Sequence, residues 1–154
     1  MMRMRRLLVL SLLLAAACSS TDTGSGGGLA TLVVTTDGGR VDLAVEIADT
    51  PEERATGLMG REDLAPLDGM AFVWAEPTSG GFWMKDTLIP LSIAFWDERG
   101  RIVAILDMEP CEADPCPVYD PGTTYEGAVE VDRGAFDERG VEVGDRVELD
   151  AAAA

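Results

Sequence analysis

The chain contains a single lysine, Lys85, and no histidine. Lys85 lies in residues 80–90, GGFWMKDTLIP, after Phe82, Trp83 and Met84 and before Asp86 and Thr87. A flat aromatic ring, a compact positive charge and a hydroxyl at alternate positions are the parts of a binding platform. They suit a sugar, a peptide carboxylate or another small polar ligand. In an extended strand Trp83, Lys85 and Thr87 share one face, and Phe82, Met84 and Asp86 share the other. The plainer reading puts Phe82 and Met84 in a core and lays the lysine stem along the Trp83 ring, a contact worth about 0.5–1 kcal/mol. The other basic residues are all arginine, so a lysine here suggests a need for a compact charge or a primary amine.

Two arginines could complete such a platform. On a helix starting at Pro51, Arg54, Leu58 and Arg61 lie roughly on one face. Either guanidinium could fork onto an anionic ligand group, although a salt bridge to a nearby carboxylate is the plainer expectation in so acidic a chain. Met59, Met70 and Met84 raise a copper(I) site, since thioethers are soft ligands; core packing is the commoner use of methionine, and no metal or cofactor is expected. Asp86, Glu130 and Asp145 are candidate acid–base carboxylates, and Lys85 a candidate nucleophile or base if buried. With 28 acidic residues in the chain, three such carboxylates carry little weight alone. The lack of histidine excludes serine–histidine and cysteine–histidine catalysis and the usual zinc sites.

The N-terminus bears on location. Arg3, Arg5 and Arg6 precede an apolar run from Leu7 to Ala17, broken only by Ser11. The run is too short to span a bilayer and has the form of a signal peptide, residues 1–17. Ala15-Ala16-Ala17-Cys18 resembles a bacterial lipobox. Cleavage before Cys18 would leave a lipidated N-terminus, an anchor to the membrane and not a span. TDTGSGGG follows, so residues 18–28 form a flexible tether. The expected location is outside the cytoplasm, on the bacterial envelope. Two cysteines then remain, and in an oxidising compartment Cys111 and Cys116 most simply pair. The 12 basic residues are far outnumbered by the 28 acidic ones, and loss of the signal removes three of the basic ones. Such a surface repels phosphate backbones, so nucleic acid is not an expected partner. Oligomeric state is not readable.

These groups must be held by a folded domain, expected over residues 29–150, with a ragged tail at 151–154. LATLVVTT and RVDLAVEI flank Asp37-Gly38-Gly39, a hairpin signal. Thr50-Pro51-Glu52-Glu53 announces a helix with an N-cap, proline at the first helical position and a capping box, expected to reach about Met59. Short strands are expected over residues 70–74, 81–87, 91–96, 101–108, 124–131 and 144–149. Residues 109–122, with four prolines, are an ordered loop, and residues 133–140 a short helical turn. The pattern predicts a mainly β fold, a compact antiparallel sandwich or barrel with one short N-capped helix.

Several spaced motifs then agree in order with one family. They are RATGLMGR at 54–61, Gly69-Met70, FWMKDT at 82–87 with Pro90-Leu91, the Pro110-Cys111 to Tyr119 stretch, Glu130, and Gly144-Asp145. Over roughly residues 30–149 the chain resembles the family catalogued as domain of unknown function 192. The resemblance implies a small, often secreted or lipid-anchored domain of jelly-roll-like β architecture; it supplies no catalytic residues. Many members carry asparagine where Asp86 stands, which argues against an essential carboxylate there. The function expected is non-catalytic binding of a small polar ligand, sugar or peptide, on Trp83, Lys85, Asp86 and Thr87 with Arg54 and Arg61 at the rim. The alternatives are an envelope hydrolase using Lys85 with a carboxylate, and an envelope assembly protein.

Overall fold

The computed structural model describes residues 27–151. The signal peptide, Cys18, most of the tether and the last three alanines lie outside the described residues. Nine strands and two short helices follow in order: β1 (Leu29–Thr36), β2 (Gly39–Ala48), α1 (Pro51–Thr56), β3 (Gly69–Thr78), β4 (Phe82–Trp83), β5 (Leu91–Trp96), β6 (Ile102–Met108), β7 (Val118–Tyr119), β8 (Tyr125–Asp132), α2 (Ala135–Arg139) and β9 (Arg146–Ala151).

Seven strands form one sheet in the order β6-β5-β8-β3-β2-β1-β9, and β4 pairs with β7 in a second, two-stranded sheet. The fold is mainly β and sandwich-like, as the pattern predicts. It is not wholly antiparallel: β2 and β3 run parallel, Val45 opposite Gly69 and Ala48 opposite Phe72. A parallel neighbour needs a crossover connection, and α1 with the segment after it supplies one. The large sheet curls without closing as a barrel. Its two ends meet at a single Arg101–Arg146 bridge, reinforced by the Val147 N–H donating to the Gly100 carbonyl at 2.6 Å.

Side chains alternate across the sheet and divide the interior in two. One face packs Leu32, Val34, Leu43, Val45, Val129 and Val131 with Phe136 of α2. The other packs Phe72, Met84, Leu91, Ile93, Phe95 and Met108. On this second face Phe72, Trp74, Phe82, Phe95 and Tyr125 meet edge-to-face, with ring centroids 4.9–6.2 Å apart. The central strand β8 is buried on both faces, so any polar side chain on it is withdrawn from water.

α1 forms for the reasons its sequence states. The Thr50 hydroxyl accepts from the Glu53 N–H at 3.2 Å, and the Glu53 carboxylate accepts from the Thr50 N–H at 3.1 Å, closing the capping box. The same bonds hold the Glu53 carboxyl below its ordinary pKa. The helix ends at Thr56, a turn earlier than its sequence suggests. Gly57 leaves the helical region at φ 47°, and a Cβ there would meet the Phe72 ring at 3.4 Å.

Candidate functional site

The segment from Phe82 to Thr87 does not run on as a strand. Phe82 and Trp83 pair with Tyr119 and Val118, and beyond them only Lys85 makes an isolated parallel bridge, to Cys111. The chain then turns, the Met84 carbonyl accepting from the Thr87 N–H at 3.1 Å and from the Cys111 N–H at 3.2 Å. Asp86 takes the left-handed conformation, φ 56°. Its N–H donates to the Cys111 carbonyl at 3.1 Å, and its carbonyl accepts from the Gly60 N–H at 2.8 Å. The turn therefore ties the α1 loop to the disulfide loop.

This turn breaks the expected single face of Trp83, Lys85 and Thr87. Trp83 remains 53% exposed. Thr87 is swung inward and buried. Lys85 is turned toward the loop closed by the Cys111–Cys116 disulfide, where its ammonium lies 2.8 Å from the Asp114 carboxylate. That hydrogen bond holds the ammonium above its ordinary pKa, the reverse of what a nucleophilic or basic lysine needs.

Trp83 and Thr87 do share one cleft. It lies between the α1 loop and β4 and has a volume of about 40 Å³, walled by Leu58, Met59, Phe72 and Phe82 with Arg54 at the rim. At its floor is Glu130, 4% exposed. Burial alone pushes this carboxyl up to about 8, because no cation stands close enough to favour its charged form. Neither the Glu130 carboxyl nor the Thr87 hydroxyl has a hydrogen-bond or ion-pair partner among the described residues. Each keeps a sliver of access through the cleft, since no fully enclosed side-chain nitrogen or oxygen lacks a partner there. Beside the cleft, past Arg54, Phe82 and Trp83, runs a wider groove of about 370 Å³ floored by Trp74, Thr78, Ser79 and Tyr125.

The two arginines behave differently. The Arg54 guanidinium sits 5.1 Å over the Trp74 ring and donates to the carbonyls of Asp49 and Val73. It clamps α1 to β3 at the edge of both hollows. Arg61 pairs with Glu46 at 2.5 Å, away from the cleft, in the salt bridge its surroundings suggested. Asp86 serves the turn through its backbone. Asp145 caps a turn, accepting from the Glu142 N–H at 2.7 Å. Met59 lines the cleft, while Met70 and Met84 are buried in the core, so the three thioethers do not converge on it. No cluster of three or more acidic, cysteine or histidine residues fit for a metal occurs among the described residues. A larger hollow of about 330 Å³ lies at the Asp97–Arg99 turn; its one buried polar-tipped side chain among the described residues is Tyr125, and it holds no buried carboxylate.

Among the sequence candidates, then, the structure brings Trp83, Thr87, Arg54 and Glu130 together. The burial of Glu130 has no signal in the sequence: Glu126, Glu130 and Asp132 alternate with Val129 and Val131 as on a half-wet strand, and only the packing of the folded sheet withdraws Glu130 from water.

Comparison with known proteins agrees with the fold. The family model for domain of unknown function 192, an uncharacterized group, matches residues 32–149. A crystal structure from Novosphingobium aromaticivorans, of a protein of unknown function, is 31% identical with a TM-score of 0.74, covering 82% of this chain and 89% of that one. A second, from Sinorhizobium meliloti and described as a suspected transcription regulator, is 31% identical with a TM-score of 0.73, covering 80% and 95%. No curated protein matches the chain.

Proposed function

We propose, from the premise that this chain belongs to the domain of unknown function 192 family, that it is a non-catalytic binding domain for a small polar ligand. The observation that carries the reading is the pair at the cleft floor. Thr87 and Glu130 are both buried, both without a hydrogen-bond or ion-pair partner among the described residues, and both line the cleft that the exposed Trp83 also borders. A ligand that fits the cleft takes the place of the water that reaches these two groups and supplies their hydrogen bonds, and Trp83 offers it a flat apolar surface.

Location is part of the proposal. Arg3, Arg5 and Arg6, the apolar run to Ala17 and Cys18 support export and lipid anchoring. The Cys111–Cys116 disulfide fits an oxidising compartment. Mass spectrometry of the mature chain should find an acylated Cys18 at its N-terminus, and Cys18→Ser should release the domain from membranes. A regulator that binds DNA is disfavoured for this chain by its 28 acidic against 12 basic residues.

The direct test is a thermal-shift screen of the protein against sugars, peptides, amines, anions and metals. A ligand of this cleft raises the melting temperature of the wild type and of Lys85→Ala, and fails to raise that of Trp83→Ala or Thr87→Val. A ligand that stabilises all four proteins equally binds elsewhere, and the cleft reading is then wrong.

A further inference from the structure

We infer that the cleft takes a small aliphatic primary amine, its ammonium seated against Glu130 and Thr87 and its stem leaving past Trp83. This deepens the binding reading above and rests on it.

Four observations converge on a cation. Glu130 is a carboxyl buried at a cleft floor with no counterion and no hydrogen-bond donor among the described residues. The Thr87 oxygen in the same cleft is a second acceptor without a partner among the described residues, and an ammonium carries three donors and no acceptor. The walls include Phe72, Phe82 and Trp83, whose π systems attract cations. The chain as a whole carries a formal charge of −16, which draws cations toward it and repels anions. The opposing group is Arg54, the only other charged or titratable residue lining the cleft among the described residues. It is held at the rim by two backbone carbonyls, and burial, not a neighbouring charge, sets the proton affinity of Glu130.

Size narrows the class. A water needs roughly 10–15 Å³ of such space, so about 40 Å³ admits about three waters, or a tip of two or three heavy atoms. A methylene bearing an ammonium fits. A trimethylammonium group is too bulky, and a carboxylate would face the Glu130 carboxyl.

Binding an ammonium makes Glu130 give up its proton. Since the free carboxyl titrates at about 8, affinity should rise up to tenfold per pH unit between pH 6 and pH 8. A neutral guest would show the opposite trend, weakening as Glu130 ionises.

The test is tryptophan fluorescence and calorimetry on the full chain with n-butylammonium, against n-butanol, butyramide, butyrate and tetramethylammonium as probes. Butylammonium alone should saturate in the millimolar range, tighten with pH as stated, and release close to one proton at pH 7. Glu130→Gln should abolish both the binding and its pH dependence while still melting cooperatively. Should Glu130→Gln fail to fold, Thr87→Val and the wild-type pH profile decide. No saturation by butylammonium up to about 100 mM, a weakness no specific site would show, overturns the inference. So does a pH-independent affinity. If butyramide or butanol binds instead, and Trp83→Ala loses it, the amine inference falls while the cleft reading stands. If every hit of the wider screen survives Trp83→Ala and Thr87→Val, the cleft reading falls as well.

Discussion

Glu130 is the residue on which most of the energetics turns. Its carboxyl titrates at about 8 in the folded protein because of burial, against roughly 4.3 in an unfolded chain. Between those values the folded state holds a proton that the unfolded state has lost. Its contribution is thus fully present below about pH 4 and fades as pH rises through 8, at roughly 1 kcal/mol per pH unit. Other carboxylates add their own pH dependence, so the informative quantity is a difference. Urea melts of wild type and Glu130→Gln should diverge steadily from pH 5 to pH 8, with the variant gaining relative stability as pH rises. Parallel curves would show that Glu130 is ionised, or wet, in the fold. Asp86 makes the complementary point. Its φ of 56° is a conformation that asparagine and aspartate tolerate and β-branched residues do not. Asp86→Asn should therefore melt within about 0.5 kcal/mol of wild type, and Asp86→Val should lose about 1–2 kcal/mol.

At the scale of elements, the supports of the fold can be removed one at a time. Thr50→Ala takes away the α1 cap and should cost about 1 kcal/mol, loosening the wall that carries Leu58 and Met59. Gly127 on β8 lies beneath the Trp96 indole, and a Cβ there would come within 2.1 Å of the ring. Gly127→Ala should destabilise by about 1–3 kcal/mol through overpacking, seen as a lower melting midpoint with an unchanged denaturant slope. Joint replacement of Cys111 and Cys116 by serine frees a short loop and should cost about 2 kcal/mol. α1, the β1–β2 hairpin and the buried strands β5 and β8 were legible because capping, turn and apolar signals are local. The Phe82–Thr87 segment was not. Its alternation looks like a strand, but the local Thr87–Met84 bond that turns it is held in place by bonds to Gly60 and Cys111, tens of residues away. The misplaced platform follows from that: Trp83 and Thr87 reach one cleft through a turn, and Lys85 is carried past it to Asp114. The parallel β2–β3 pair was equally hidden, since neither strand records the direction of its neighbour.

For the whole molecule the governing quantity is charge. Six ion pairs are seen among the described residues, too few to absorb 28 carboxylates. Most acidic groups therefore have no ion-pair partner among the described residues, and compaction works against the repulsion of the uncompensated net charge. Salt has two opposed effects. It weakens the exposed pairs, each worth about 0–1 kcal/mol at most, and it screens the far more numerous repulsions. Repulsion should win, so the melting temperature should climb as sodium chloride is raised from about 0.01 M to about 1 M and the screening length falls from about 30 Å to about 3 Å. Amine binding should move the other way over the same range, because screening removes the long-range attraction of an acidic protein for a cation. The two responses come from one charge distribution and must have opposite signs. A melting temperature that falls with salt would mean the ion pairs hold the fold together. An amine affinity indifferent to salt would mean that Glu130 alone, without the field of the surrounding surface, selects the guest.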